Sequence, residues 1–152
     1  MNLCSDVLKA LEGKSLVTAE SCTGGGIGSA LTAIAGSSSV YKGGIISYTN
    51  WVKHNLLSVP QAYLDQFGAV SAPVAEAMAL GARKNLQADI AVSVTGLAGP
   101  SGDEFGNPVG TVFVGYSDTK MTMSEKHVFS GDRESVRMQA IEAALNLILR
   151  FN

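Results

Sequence analysis

The chain has 152 residues, 46% of them hydrophobic and only 16% charged, with a formal net charge of −2. That is enough for one domain with a full core, and the sequence pI near 5.6 argues against a general nucleic-acid binder, which carries a basic face. No apolar run approaches the roughly 18 residues of a membrane span. The first residues, Met1 to Asp6, lack the charged-then-apolar pattern of a signal peptide, and Cys4 and Cys22 give neither a disulfide framework nor a zinc site. The expectation is a cytoplasmic domain covering residues 1–152, without metal, membrane or nucleic-acid partner.

The first element is a helix, with Leu3, Val7, Leu8 and Leu11 at helical spacing and Gly13 as its stop. Ser15 to Ala19 predicts a short buried strand that runs into Glu20-Ser21-Cys22-Thr23-Gly24-Gly25-Gly26, and a helix over 27–35 follows. A strand emptying into a serine and a glycine run at a helix start exposes a hydroxyl at the carboxyl edge of a sheet. It also offers backbone N–H groups that suit an oxyanion or a phosphate. The plainer reading is a tight turn whose Ser and Thr cap the helix.

Gly36 to Ser39 is a loop, and Gly43 to Tyr48 predicts a second strand. Thr49 or Asn50 caps a short helix through Trp51, Leu56 and Leu57, which ends before Pro60. Ala72 to Leu86 is an Ala-rich helix with Pro73 in its first turn, and Ile90 to Thr95 is a buried strand. Leu97 to Pro108 is a long loop. Thr111 to Tyr116 and Met121 to Phe129 are strands joined by a turn at Ser117 to Thr119. Gly131-Asp132 starts the last helix, with Val136, Ala140, Ala144, Leu147 and Ile148 on one face. The alternation of strands and helices followed by a hairpin predicts a single three-layer α/β/α domain with a mixed, mostly parallel sheet.

Several site types fail on spacing. No Lys follows the glycines as a P-loop requires, and a dinucleotide fingerprint would need Gly where Ser29 stands. Ser21 is not in a Gly-x-Ser-x-Gly elbow, which removes local support for a Ser-His-Asp triad. His54 and His127 are isolated in sequence and read as surface or packed histidines. Lys53, five residues past Tyr48 and just beyond a strand end, is an available base for Ser21 if burial lowers its pKa. On spacing alone, the favoured reading is Lys53 as a solvated helix lysine and Tyr48 as a core-edge aromatic.

Thr18-Ala19-Glu20-Ser21-Cys22-Thr23-Gly24-Gly25 followed by Gly44-Ile45-Ile46-Ser47-Tyr48-x-Asn50-x-x-Lys53 resembles the C-terminal domain of the competence/damage-inducible CinA proteins. The resemblance continues through Gly68 to Ser71, Ser93 to Pro100, Pro108 to Val112 and Phe129 to Arg137, in family order. Stand-alone members are nicotinamide-nucleotide amidases, which convert nicotinamide mononucleotide to nicotinate mononucleotide and ammonia without a cofactor. Larger members carry an additional N-terminal domain that these 152 residues do not include.

The resemblance implies Ser21 as nucleophile, with Lys53 and Tyr48 at the base and hydroxyl positions. Thr23, Gly24, Gly25, Thr95, Gly96, Arg133 and Arg137 are implied for substrate binding. The glycine loop would hold either oxyanion or phosphate, and either arginine would meet the phosphate. Asn107 stands where the family usually has lysine, so the loop before Pro108 is expected to close differently. The same glycines and arginines would also serve a catalytically silent nucleotide-binding regulatory module, which ammonia release distinguishes from an amidase. A homodimer or higher homo-oligomer is the expected assembly.

Overall fold

A computed structural model describes residues 2–152. Six α-helices and five strands follow the order α1 (Leu3–Ala10), β1 (Leu16–Glu20), α2 (Gly26–Thr32), β2 (Tyr41–Ile46), α3 (Asn50–Leu57), α4 (Gln61–Phe67), α5 (Ala72–Asn85), β3 (Ile90–Gly96), β4 (Thr111–Ser117), β5 (Thr122–Val128) and α6 (Arg133–Arg150). The strands form one sheet in the order β2-β1-β3-β4-β5. β2, β1 and β3 are parallel neighbours, and β4 pairs antiparallel with both β3 and β5, so β4 alone runs against the rest. This is the expected three-layer α/β/α domain with a mixed sheet.

Strand alternation assigns side chains to the two layers. Leu16 of β1 and Ile90, Val92 and Val94 of β3 enter the core beneath α1, α2 and α6, packed with Ile27, Leu31 and Leu147. Val17, Ala19 and Ala91 enter the opposite core with Leu57, Val74 and Met78, beneath α3 and α5. One step further along β1, that alternation places Glu20 toward α2 and Ser21 toward α3. Residue parity therefore sends these two neighbours to opposite layers.

The sequence reading differs from the structure in detail. Gln61–Phe67 forms a further helix between the two expected ones, and Ser37–Ser39 is a 3-10 turn. The second strand begins at Tyr41 and ends at Ile46, which leaves Tyr48 two residues beyond it. The second helix is shorter than 27–35, spanning Gly26–Thr32. Thr49, not Asn50, caps α3, its hydroxyl accepting the Val52 N–H at 3.5 Å. No helix among the described residues is long and apolar enough to cross a membrane.

Gly81 lets α5 close on the end of α3, because a Cβ there would collide with the backbone carbonyl of Leu57. Backbone cannot yield as a flexible side chain does, so the two helices would have to separate. Gly81→Ala is expected to cost about 2–3 kcal/mol of stability, the scale of overpacking a filled core. Chemical denaturation of the purified variant measures this; stability within experimental error of the parent would show that the contact is dispensable.

Candidate active site

Ser21 sits one residue past β1, with its N–H donating to the Val94 carbonyl at 3.0 Å and its carbonyl accepting from Gly24 N–H at 3.1 Å. Its backbone is therefore held by the neighbouring strand and by the turn it starts. Lys53 reaches the same point from α3, and its Nζ lies 2.9 Å from Ser21 Oγ and 2.6 Å from the Ser47 carbonyl oxygen. The lysine is 1% exposed, so the solvated reading of this residue is overturned. Among the described residues the ion pairs involve only Glu125 with His127 and Arg150, and Lys53 has no carboxylate partner. Burial without a counter-ion pushes its pKa down to about 8.

A pocket of about 290 Å³ opens over this pair, walled in part by Tyr48, Asn50, Thr95, Gly96 and Arg133. Thr95 is held by its own hydroxyl, which donates to the Ala69 carbonyl at 2.8 Å. Tyr48 is 61% exposed, and its hydroxyl accepts from Arg133 Nη2 at 3.3 Å while Arg133 Nη1 donates to the Gly99 carbonyl at 2.6 Å. The hydroxyl of Tyr48 has no hydrogen bond to Ser21 or Lys53; it belongs to the pocket mouth.

The other residues named for substrate binding stand behind the pocket. Arg137, one helical turn past Arg133, donates from Nε to the Cys22 carbonyl at 3.0 Å and from Nη2 to the Thr23 carbonyl at 3.2 Å. Thr23 is fully buried, and its hydroxyl donates to Glu20 Oε1 at 2.7 Å. Gly24 and Gly25 take positive φ values of 58° and 99°, the left-handed conformation that lets the chain turn from strand into α2. The cap of α2 is neither Ser21 nor Thr23: the Glu20 carboxylate accepts the N–H groups of Ile27 and Gly28 at 2.8 and 3.0 Å.

Glu20 and the Ser47 carbonyl were given no role in the sequence reading, although both lie inside the motif blocks. The β1 parity was the available signal for Glu20; nothing local marked Ser47. Asn107 is drawn into a clasp, donating to Asp103 Oδ2 at 2.8 Å and to the Val70 carbonyl at 3.2 Å, which ties its loop to a pocket wall. Burial raises the Cys22 thiol to about 11, which keeps it protonated, and hence a weak nucleophile, at neutral pH. His54 is exposed on α3 with its Nδ1 2.8 Å from the Val59 carbonyl, and the half-buried His127 stacks on Phe129. No cluster of three or more His, Cys, Asp or Glu among the described residues offers a metal site. A larger cavity of about 600 Å³ lies between α3, α4 and α5, but its walls, including Leu57, Tyr63 and Leu80, carry no nucleophile and base in contact.

A family model described as the CinA C-terminal domain matches residues 2–151. A nicotinamide-nucleotide amidohydrolase PncC of Enterobacter agglomerans is 46% identical over 151 residues, covering 97% of this chain and 92% of that protein. A CinA-like protein of Synechococcus sp. (strain CC9311) is 60% identical over 115 residues, which cover 74% of this chain but only 27% of that longer protein. Among solved structures, a CinA superfamily protein from Escherichia coli superposes with a TM-score of 0.97 at 37% identity, covering 99% of this chain and 89% of that one. A competence/damage-inducible protein from Agrobacterium tumefaciens gives a TM-score of 0.94 at 37% identity, with 97% and 92% covered. With the match running from end to end of the described fold, the chain belongs to the CinA C-terminal domain family.

Proposed function

We propose that the protein is a nicotinamide-nucleotide amidase, hydrolysing the carboxamide of nicotinamide mononucleotide to nicotinate mononucleotide and ammonia. The observation that carries this reading is the 2.9 Å contact between Ser21 Oγ and a buried Lys53 Nζ that lacks a counter-ion. The 46% identity to a protein named for this activity supports the substrate. The setting that goes with the reading is cytoplasmic nicotinamide-nucleotide salvage by a homodimer or higher homo-oligomer, with no nucleic-acid or membrane partner.

With Lys53 neutral, one N–H donates to the Ser47 carbonyl and the nitrogen lone pair accepts the Ser21 hydroxyl. Ser21 Oγ attacks the carboxamide carbon as its proton passes to Nζ, giving a tetrahedral oxyanion. In this scheme the N–H of Cys22, which follows the nucleophile, donates to that oxyanion. Collapse breaks the carbon–nitrogen bond, and the Lys53 ammonium returns its proton to the departing ammonia. Water then attacks the Ser21 ester, giving up a proton to Lys53, and the serine leaves reprotonated. Tyr48, bonded to Arg133, takes the role of a mouth residue in this scheme. Glu20 already fills the first turn of α2, which assigns the substrate phosphate to Arg133 on the opposite rim.

Ser21→Ala should fold normally and lose about a thousandfold or more in ammonia release, since the covalent route is gone. Activity within tenfold of the parent would remove Ser21. The rate should climb with pH as Lys53 loses its proton and level off above about 8. Lys53→Arg keeps the charge but cannot deprotonate, so it should retain substrate binding and lose that turnover. Substantial catalysis by the arginine variant would take Lys53 out of the mechanism.

The arginines should separate cleanly. Arg133→Ala should lower kcat/KM for the mononucleotide by roughly 10–100-fold, the value of a charge-assisted bond, and change the dephosphorylated riboside by about twofold or less. Arg137→Ala should injure both substrates equally and lower the melting temperature. Equal losses on both substrates for Arg133→Ala would make it a structural arginine.

A further inference from the structure

Two adjacent residues leave β1 on opposite faces. Ser21 meets Lys53 beneath α3, whereas Glu20, 2% exposed, turns toward α2 and collects three donors. Its Oε1 accepts the Thr23 hydroxyl at 2.7 Å and the Ile27 N–H at 2.8 Å, and its Oε2 accepts the Gly28 N–H at 3.0 Å. The N-cap position of α2 is Gly25, which has no side chain with which to cap the helix. A carboxylate from the preceding strand does that work instead.

We propose that Glu20 is a positioning residue for Ser21: it holds the 21–25 turn closed, so that the serine hydroxyl stays within reach of Lys53 Nζ. The proposal rests on the Ser21–Lys53 reading given above. Cys22 anchors the start of the turn in the core, but at Gly24 and Gly25, both at positive φ, the chain has no side chain to hold it. It is therefore gripped from outside, by Arg137 on the carbonyls of Cys22 and Thr23 and by Glu20 on the Thr23 hydroxyl and the α2 N–H groups. Of the two grips, Glu20 is bonded directly to Ser21. Loosening the Glu20 carboxylate frees the start of α2 and with it the glycine end of the turn, which the Gly24 N–H ties back to the Ser21 carbonyl at 3.1 Å.

A carboxylate suits these three donors because both of its ends accept. Glutamine in its place presents an NH2 group to one end of the set, where an N–H or a hydroxyl already points. One side of the turn must then open. Displacing a reacting atom by about 1 Å can cost a hundredfold in rate, and this sets the expected effect.

The test reads Ser21 directly and does not depend on the amide substrate. A fluorophosphonate probe labels an activated serine hydroxyl, and intact-protein mass spectrometry follows the rate, with Ser21→Ala as the blank. Glu20→Gln should be labelled about a hundredfold more slowly than the parent, and Thr23→Val, which removes one of the three donors, about tenfold more slowly. The pH midpoint of labelling should stay at the parent value, because Lys53 keeps its surroundings. In Glu20→Ala, added formate should restore part of the rate where chloride at equal ionic strength does not, entering through the hollow of about 210 Å³ lined by Thr18, Glu20 and Tyr41. A Glu20→Gln rate within about threefold of the parent would overturn the positioning role and leave the Ser21–Lys53 pair standing. A parent protein that is not labelled at Ser21 would overturn both. If Glu20→Gln loses cooperative unfolding, Thr23→Val decides: labelling within about twofold of the parent rejects the proposal.

Discussion

A lysine amine with no carboxylate beside it, enclosed by protein and touching a serine hydroxyl, is the constraint on which the rest of this structure turns. Keeping Lys53 buried works against folding while it is charged. A depression from 10.5 to about 8 corresponds to a penalty on the order of 3 kcal/mol, fully present below pH 8 and relieved as pH rises toward the ordinary lysine value. Such a penalty persists only if the surroundings hold the side chain in place. Here the hold is visible in the Ser47 carbonyl, in the capped and short α3, and in Gly81, which lets α5 shut the far end of that helix. What the fold holds is an amine whose pKa is lowered to about 8, beside the hydroxyl that β1 delivers to the sheet edge.

The end of β1 divides its labour by parity. Glu20 faces the α2 layer and Ser21 the α3 layer, so one caps a helix and the other meets Lys53 without competing for space. The two arginines of α6 divide theirs by one helical turn. Arg133 stands at the pocket mouth with Tyr48, while Arg137 is spent on the carbonyls of the 21–25 turn. Family membership and the architecture do not depend on that division. The proposed chemistry does, because it leaves Arg133 as the arginine that lines the 290 Å³ pocket together with Lys53 and Ser21.

Much of this was legible in the residues, for identifiable reasons. Buried strands such as Ile90–Gly96 announce themselves as apolar runs, and the face of α6 at Val136, Ala140, Ala144 and Leu147 follows helical spacing. α4 was missed because a single buried residue, Leu64, anchors a short segment between Pro60 and Gly68 whose other large apolar side chains, Tyr63 and Phe67, are exposed. The start of β2 was missed because an edge strand with Gly43 and Gly44 carries little β signal. At the site, hydropathy pointed the wrong way. Trp51 and Leu56 of α3 are 66% and 49% exposed, while Lys53 on the same helix is buried. Nor could spacing separate the arginines, since the contact between Arg137 and Cys22 spans 115 residues of sequence.

The central claim is that Lys53 is a buried amine whose proton leaves near neutral pH. Titrating its ε-amine by carbon-detected or hydrogen-decoupled nitrogen NMR in the intact protein, with Lys53→Met to assign the signal, tests this directly. A midpoint close to 8 is the predicted result. A midpoint at about 10.5, the ordinary value for a solvated lysine, would contradict it and leave Ser21 without its base.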